Sequence, residues 1–294
     1  MNSPHCNTSI WRPDQGITPV SESEWTSYAL EIGIPEAVIQ RSRERDRRAR
    51  LVLCETALLV TLRIWNGVTG QSGDDLEDVT REWDIFVGSN LVLIRSDTAM
   101  PLLPAGTHTP SQVLYALLDE SIDGCYPAMD AMDAEIDALE IAVYSPETLA
   151  EIGPALILKK KLLLLRQTVT PLRDVLNQLL RLQHAALDPS LTPYLQDIFD
   201  RSLRLTEQID LHREILSGVL EAIMAQTSNR LNQQMKRLTA IAAIALPITA
   251  ITGFFGMNIG HLDKAPSWSL WAAVGFMATA SSLVFIYFRR RDYW

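Results

Sequence analysis

Two groups of side chains in this 294-residue chain have types and spacings able to act on ions. Asp130, Asp133, Asp137 and Glu140 recur every three or four residues, which sets four carboxylates along one helix face. Such a row repels itself unless cations or basic partners stand nearby. It is either a solvated face or a surface that concentrates divalent cations, since hard cations prefer carboxylate oxygens. Farther along, Asn232, Met235, Leu238 or Thr239, Ala242, Leu246, Thr249 and Gly253 form a second stripe at helical spacing. It is polar at both ends, apolar in the middle and free of charge. Small residues suit helix packing. The same stripe suits the wall of a narrow, hydrophobically gated pore, and spacing alone supports both readings.

Other chemistries find no support. Cys6, Cys54 and Cys125 are far apart and show no CxxC spacing, so neither a disulfide framework nor a zinc knuckle is expected. His5, His108, His184, His212 and His261 are equally scattered. No nucleophile, metal-binding or phosphate-cradle motif marks an enzyme. A formal net charge of -9 argues against a nucleic-acid partner, which needs a basic footprint, and suits attraction of cations.

The elements that position these residues can be read along the chain. Residues 1 to about 50 are polar and read as irregular, ending in the charged run Arg41–Arg48, a solvated or inter-subunit salt-bridge surface. Ala57–Ile64, Trp83–Val87 and Asn90–Arg95 are short apolar, β-branched runs and predict a small sheet in an α/β domain. Thr109-Pro110-Ser111 starts a helix whose stripe is Val113, Leu114, Leu117 and Leu118. Further helices are expected over about 127–143 and 154–186, the second bent at Pro171, with Pro189 and Pro193 punctuating the turn that follows. From Tyr194 no strong breaker except Gly218 appears before Pro247. Leu205, Ile209, Leu216, Val219 and Ile223, with His212 filling the gap, predict a bundle seam on a helix of roughly 60 residues.

Leu238–Phe255 and Trp268–Phe288 contain no charged residue, and each is long enough to cross a hydrocarbon core about 30 Å thick. Lys236 and Arg237 precede the first, and Arg289, Arg290 and Arg291 follow the second. The positive-inside rule therefore puts both termini in the cytoplasm, and no signal peptide is visible at the N-terminus. Two spans cannot enclose a polar pathway, so a conducting protein of this design must oligomerise around an axis.

Ser228–Thr239, continuing through Leu246-Pro247-Ile248-Thr249 to Gly253-Phe254-Phe255-Gly256-Met257-Asn258, resembles the CorA family of magnesium and divalent-metal channels. Leu114–Glu120, Pro171–Leu176 and Tyr194–Asp200 look like further elements of that family. The resemblance implies a funnel-shaped homopentamer in the cell inner membrane, an α+β/α membrane protein. Each subunit then has an N-terminal α/β cytoplasmic domain (1–125), a helical and stalk region (126–237) and a first transmembrane helix (238–258). An external loop (259–267), a second transmembrane helix (268–288) and a basic tail (289–294) follow. It implies a selectivity filter of Gly256, Met257 and Asn258, where a ring of Asn258 amides holds hydrated Mg²⁺ without stripping its water. Pore-lining positions fall on Asn232, Met235, Leu246, Thr249 and Gly253, which coincide with the stripe and shift its reading towards pore. Asp197 is the implied regulatory metal carboxylate.

The loop Ile259–Lys264 departs from the family's acidic pattern, and Gly73–Asp78, Trp83 and Asn258-Ile259-Gly260 resemble the ZntB zinc-transporting branch. His261 suits Zn²⁺ better than Mg²⁺. The cargo that the CorA resemblance implies remains Mg²⁺, with Co²⁺ or Ni²⁺ as companions. The alternatives are Zn²⁺, coupled to a proton gradient, or a membrane-tethered sensor or scaffold that conducts nothing.

Overall fold

The computed structural model describes residues 7–42, 48–66, 79–96, 103, 107–145, 151–255 and 268–290. The chain divides into two compact units, Met1–Leu220 and Glu221–Trp294.

In the first unit, six strands form one sheet in the order β2-β1-β6-β5-β4-β3, with every neighbouring pair antiparallel. The strands are β1 (Asn7–Arg12), β2 (Gly16–Pro19), β3 (Arg50–Leu53), β4 (Leu58–Trp65), β5 (Thr80–Val87) and β6 (Val92–Ser96). The α/β expectation therefore resolves into an antiparallel sheet with helices on both faces. The apolar run of β4 is explained by that double cover, since alternate side chains enter different cores. Leu58, Val60 and Leu62 join Ile85 and Ile94 against helices α3 (Pro110–Asp123) and α5 (Ile152–Arg181). Leu59, Phe86 and Leu93 pack on Trp25 of α1 (Glu22–Glu31) and Ile39 of α2 (Glu36–Ser42). The Trp25 and Phe86 rings meet edge to face at 5.1 Å. Between β4 and β5, the buried Thr61 hydroxyl donates to Asp84 Oδ1 at 2.6 Å.

The reading of residues 1–50 as irregular is overturned. They hold two strands, two helices and the first residue of β3. Ser21 and Glu24 close a reciprocal capping box at the start of α1, and Ile10 and Trp11 anchor β1 in the two cores. Helix α3 begins at its own capping box, Thr109 with Gln112, and its four predicted apolar residues are buried.

Helix α4 (Tyr126–Tyr144) follows the expected span closely. Helix α5 runs through Pro171 and stops at Arg181, five residues before the predicted end. Side chains hold the link beyond it out of the helix. His184 Nε2 lies 3.0 Å from the Cys54 carbonyl oxygen, and its Nδ1 accepts the Ala186 N–H at 3.1 Å. Ser111 Oγ donates to the Ala186 carbonyl and accepts from the Asp188 N–H. Pro193, expected in the turn, instead sits in the first turn of helix α6 (Thr192–Phe255), where its missing N–H has no partner to lose.

At 64 residues, α6 is about 96 Å long. Leu205, Ile209 and Leu216 bury the predicted seam against Met132 and Ile136 of α4 and Leu162 and Leu165 of α5. In the second unit, α6 runs alongside helix α7 (Trp268–Arg290), and Ser281 Oγ donates to the Ile244 carbonyl at 3.2 Å. Replacing Leu176 by alanine empties volume where α5 meets the sheet; a loss of about 2–5 kcal/mol is expected, read as a lowered Tm of the purified chain.

Candidate functional site

On α6, Asn232, Met235, Thr239, Ala242, Leu246, Thr249 and Gly253 follow one another at alternating steps of three and four and are all exposed. Ala240, Ala243, Ile244, Pro247 and Ile251 form the covered face of the same stretch. Leu246 stands two residues beyond Ile244, about 200° around the helix, and Thr249 nine beyond Ala240, about 180°. The stripe therefore looks away from the face that meets α7. It is not the packing surface of the helical pair.

The stripe's chemistry is gentle. Thr239 Oγ1 donates to the Met235 carbonyl at 2.8 Å, and Thr249 Oγ1 to the Ala245 carbonyl at 3.0 Å. With those protons spent inside the helix, each hydroxyl oxygen turns lone pairs outward, ready to accept hydrogen bonds from water. Met235 and Leu246 stand between these polar levels, 59% and 71% exposed. At Gly253 even a Cβ would touch nothing within 4 Å. An open groove of about 550 Å³ borders the polar start of the stripe, lined by Asn229, Asn232, Gln233, Met235, Lys236 and Thr239. Gly256, Met257 and Asn258 lie outside the described residues, as do His261 and Gly73–Asp78.

Among the described residues one helical run, Pro189–Gly253, is long and apolar enough to cross a membrane. Only 6% of its most apolar stretch is buried. That exposure separates it from the core helix of a soluble fold. Helix α7 carries no charge from Trp268 to Phe288 and leaves Trp271, Phe276 and Leu283 exposed.

Asp197 lies near the start of α6 and is not alone. Arg201, one turn on, donates from Nη1 to Asp123 Oδ1 at 2.6 Å and from Nη2 to Asp119 Oδ1, and its Nε lies 3.1 Å from Asp197 Oδ2 as an ion pair. Burial opposes the charge of Arg201. The hydrogen bond that Arg201 donates to Asp119 and the charges of Asp119, Asp123 and Asp197 outweigh it and raise the guanidinium's pKa further. Burial, then Asp119, likewise pushes the phenol of Tyr115 up, and its ring meets Tyr194 edge to face at 5.6 Å. Two segments quoted for the resemblance, Leu114–Glu120 and Tyr194–Asp200, are thus pinned together by an arginine that sequence reasoning did not single out. The signal was the Asp197–Arg201 spacing of four.

The acidic row of α4 is exposed at Asp130, Asp133 and Asp137. Asp133 Oδ1 lies 2.5 Å from His212 Nε2, whose Nδ1 is 2.8 Å from the Gln208 carbonyl oxygen. Among the described residues no group of three or more histidine, cysteine or acidic side chains has the geometry to hold a metal ion.

A sheet-based domain and a long helix with an exposed apolar stretch are features that membrane transport proteins share. The family described as CorA-like Mg²⁺ transporter protein matches residues 19–290, and the chain belongs to it. The cobalt/magnesium transport protein CorA of Thermotoga maritima is 30% identical over 62% of this chain and 52% of its own length, so the chain matches about half of that relative. A zinc transport protein ZntB from Pectobacterium atrosepticum is 30% identical over 86% of this chain and 77% of its own. The complete structure of the CorA magnesium transporter from Methanocaldococcus jannaschii shares the fold, with a TM-score of 0.75 and 19% identity over 98% of this chain and 99% of that one.

Arg201→Met removes the cation that the three carboxylates share. Given their partial exposure, the expected loss is about 1–3 kcal/mol. Millimolar Mg²⁺ should recover much of the lost Tm in this variant while moving the parent chain less, as thermal melts with and without Mg²⁺ will read.

Proposed function

We propose that this chain is a divalent metal cation transporter working as a homopentamer in the cell inner membrane, with both termini in the cytoplasm. In this reading α6 and α7 both span the lipid, and five copies of the α6 stripe surround the axis. The observation that carries the proposal is the direction of that stripe, uncharged, exposed and turned away from α7.

Mg²⁺ dehydrates reluctantly, so a pathway for it must accept the ion with its water. The outward oxygens of Thr249 and Thr239 and the amides of Asn232 offer acceptors to that water, and Asn258 forms the outer ring. Leu246 and Met235 act as apolar constrictions that close by dewetting. The absence of fixed charge keeps the ion from being held too tightly to leave. Entry is driven by the membrane potential, which favours a dication by about 4.6 kcal/mol per 100 mV, twice the value for one charge. Asp197 is the regulatory carboxylate in this scheme, where internal cations compete with Arg201 for it.

A zinc transporter of the same fold is the second reading, favoured by the 30% identity to a zinc transport protein over 86% of the chain. Purified protein in proteoliposomes separates the cases. Mg²⁺, Co²⁺ or Ni²⁺ influx that follows an imposed potential supports the first, and Zn²⁺ influx that rises with a pH gradient supports the second. Asn258→Ala should lower flux at least tenfold. A chain that moves neither ion under either gradient is a scaffold, and the proposal fails. Asp197→Ala should weaken inhibition by internal Mg²⁺, and unchanged inhibition removes that residue from the regulatory role.

A further inference from the structure

The three helices of the first unit's bundle carry unequal charge. Helix α4 holds five acidic residues and no basic one, while α5 holds six basic residues and a single acid. Part of this imbalance is settled within the chain, where Lys161 Nζ lies 3.1 Å from Glu135 Oε1. The contacts to α6 show where the rest points. Asp133 of α4 reaches His212, and Arg166 of α5 reaches Asp210 at 2.8 Å. His212 and Asp210 are two residues apart, about 200° around α6, so α4 and α5 flank it on different sides.

Each flank continues beyond its contact. On α4, Asp130, Asp137 and Glu140 share the side of Asp133, at spacings of three, four and seven. On α5, Lys159 and Leu163 share the side of Arg166 at spacings of seven and three. Asp130, Asp137 and Lys159 are exposed, and among the described residues none of them has an ion pair. Leu163 and Leu156 add exposed apolar surface beside Lys159, at 42% and 53%. One side of the bundle is therefore acidic, the other basic with apolar neighbours.

We infer that these two flanks are the halves of one heterologous interface, the acidic flank of α4 in one copy meeting the basic, apolar flank of α5 in the next. The occupant is a second copy of this chain, identified by charge complementarity. A head-to-tail contact of this kind closes a ring when the rotation fits. With α6 turned to the axis, the left flank of every copy faces the right flank of its neighbour. Asp130, Asp137 and Glu140 then find the cations that α4 lacks, which answers why a self-repelling row stands there. The inference rests on the oligomeric transporter reading and adds which faces build it.

Cysteine pairing tests it in the full-length chain in detergent. Asp137→Cys combined with Lys159→Cys should give, on mild oxidation, a ladder of covalent multimers on a denaturing gel, each single variant remaining largely uncrosslinked. A second arm reverses charge. Lys159→Glu should shift assembly towards monomer at low salt, and adding Asp137→Lys to it should restore the assembled state. No ladder and no shift from a chain that still has its oligomeric mass by native mass spectrometry and still transports overturns the interface while leaving the transporter reading intact. Equal ladders from the single variants also overturn it, because they mark like faces meeting like.

Discussion

The constraint on which the structure depends is the apolar surface that α6 leaves exposed among the described residues. Leu231, Met235, Leu238, Ile241, Leu246 and Ile248 are between 44% and 71% exposed. Covering a side chain of this kind is worth about 1.5–3 kcal/mol, so these six together hold on the order of 10 kcal/mol, comparable to the whole stability of a domain. In the proposed reading lipid and neighbouring copies share that surface, and the uncharged stripe facing away from α7 is the part turned to the axis.

Charge is handled in opposite ways at the two ends of α6. Near its start, carboxylates are answered at short range, Asp119, Asp123 and Asp197 by Arg201 and Asp133 by His212. Along the stripe no charge is present, and polarity comes from amides and from hydroxyls whose protons are bound to the helix. A fixed carboxylate in low dielectric would grip a dication strongly, whereas conduction needs binding weak enough to release it. The two styles suit different tasks, holding elements together near the start of α6 and, in the proposed reading, letting an ion pass along the stripe.

Much of this was legible in the sequence, for identifiable reasons. Strands β4 to β6 show as apolar runs because both sheet faces are covered, and the α6 seam from Leu205 to Leu216 keeps its period because three helices meet along it. Strand β1 was missed because Asn7–Arg12 is polar in composition and owes its place to Ile10, Trp11 and its two neighbouring strands. Helix α1 was missed because only Trp25 and Ala29 are buried on it. The early end of α5 depends on His184 and Ser111 reaching segments far away in sequence, which no local pattern carries. Asp197 was singled out by resemblance, but its ion pair with Arg201 and the convergence of Asp119 and Asp123 needed the fold. Whether the stripe was a packing face or a free one needed the position of α7.

The measurement that tests the central claim most directly is block of ion flux by a charged thiol reagent at single cysteines placed around α6. Thr249→Cys on the stripe should lose most of its divalent-ion flux after reaction, while Ile251→Cys on the α7-facing side should keep it. Block at Ile251→Cys with none at Thr249→Cys would contradict the account, because the pathway would then run along the wrong face of the helix.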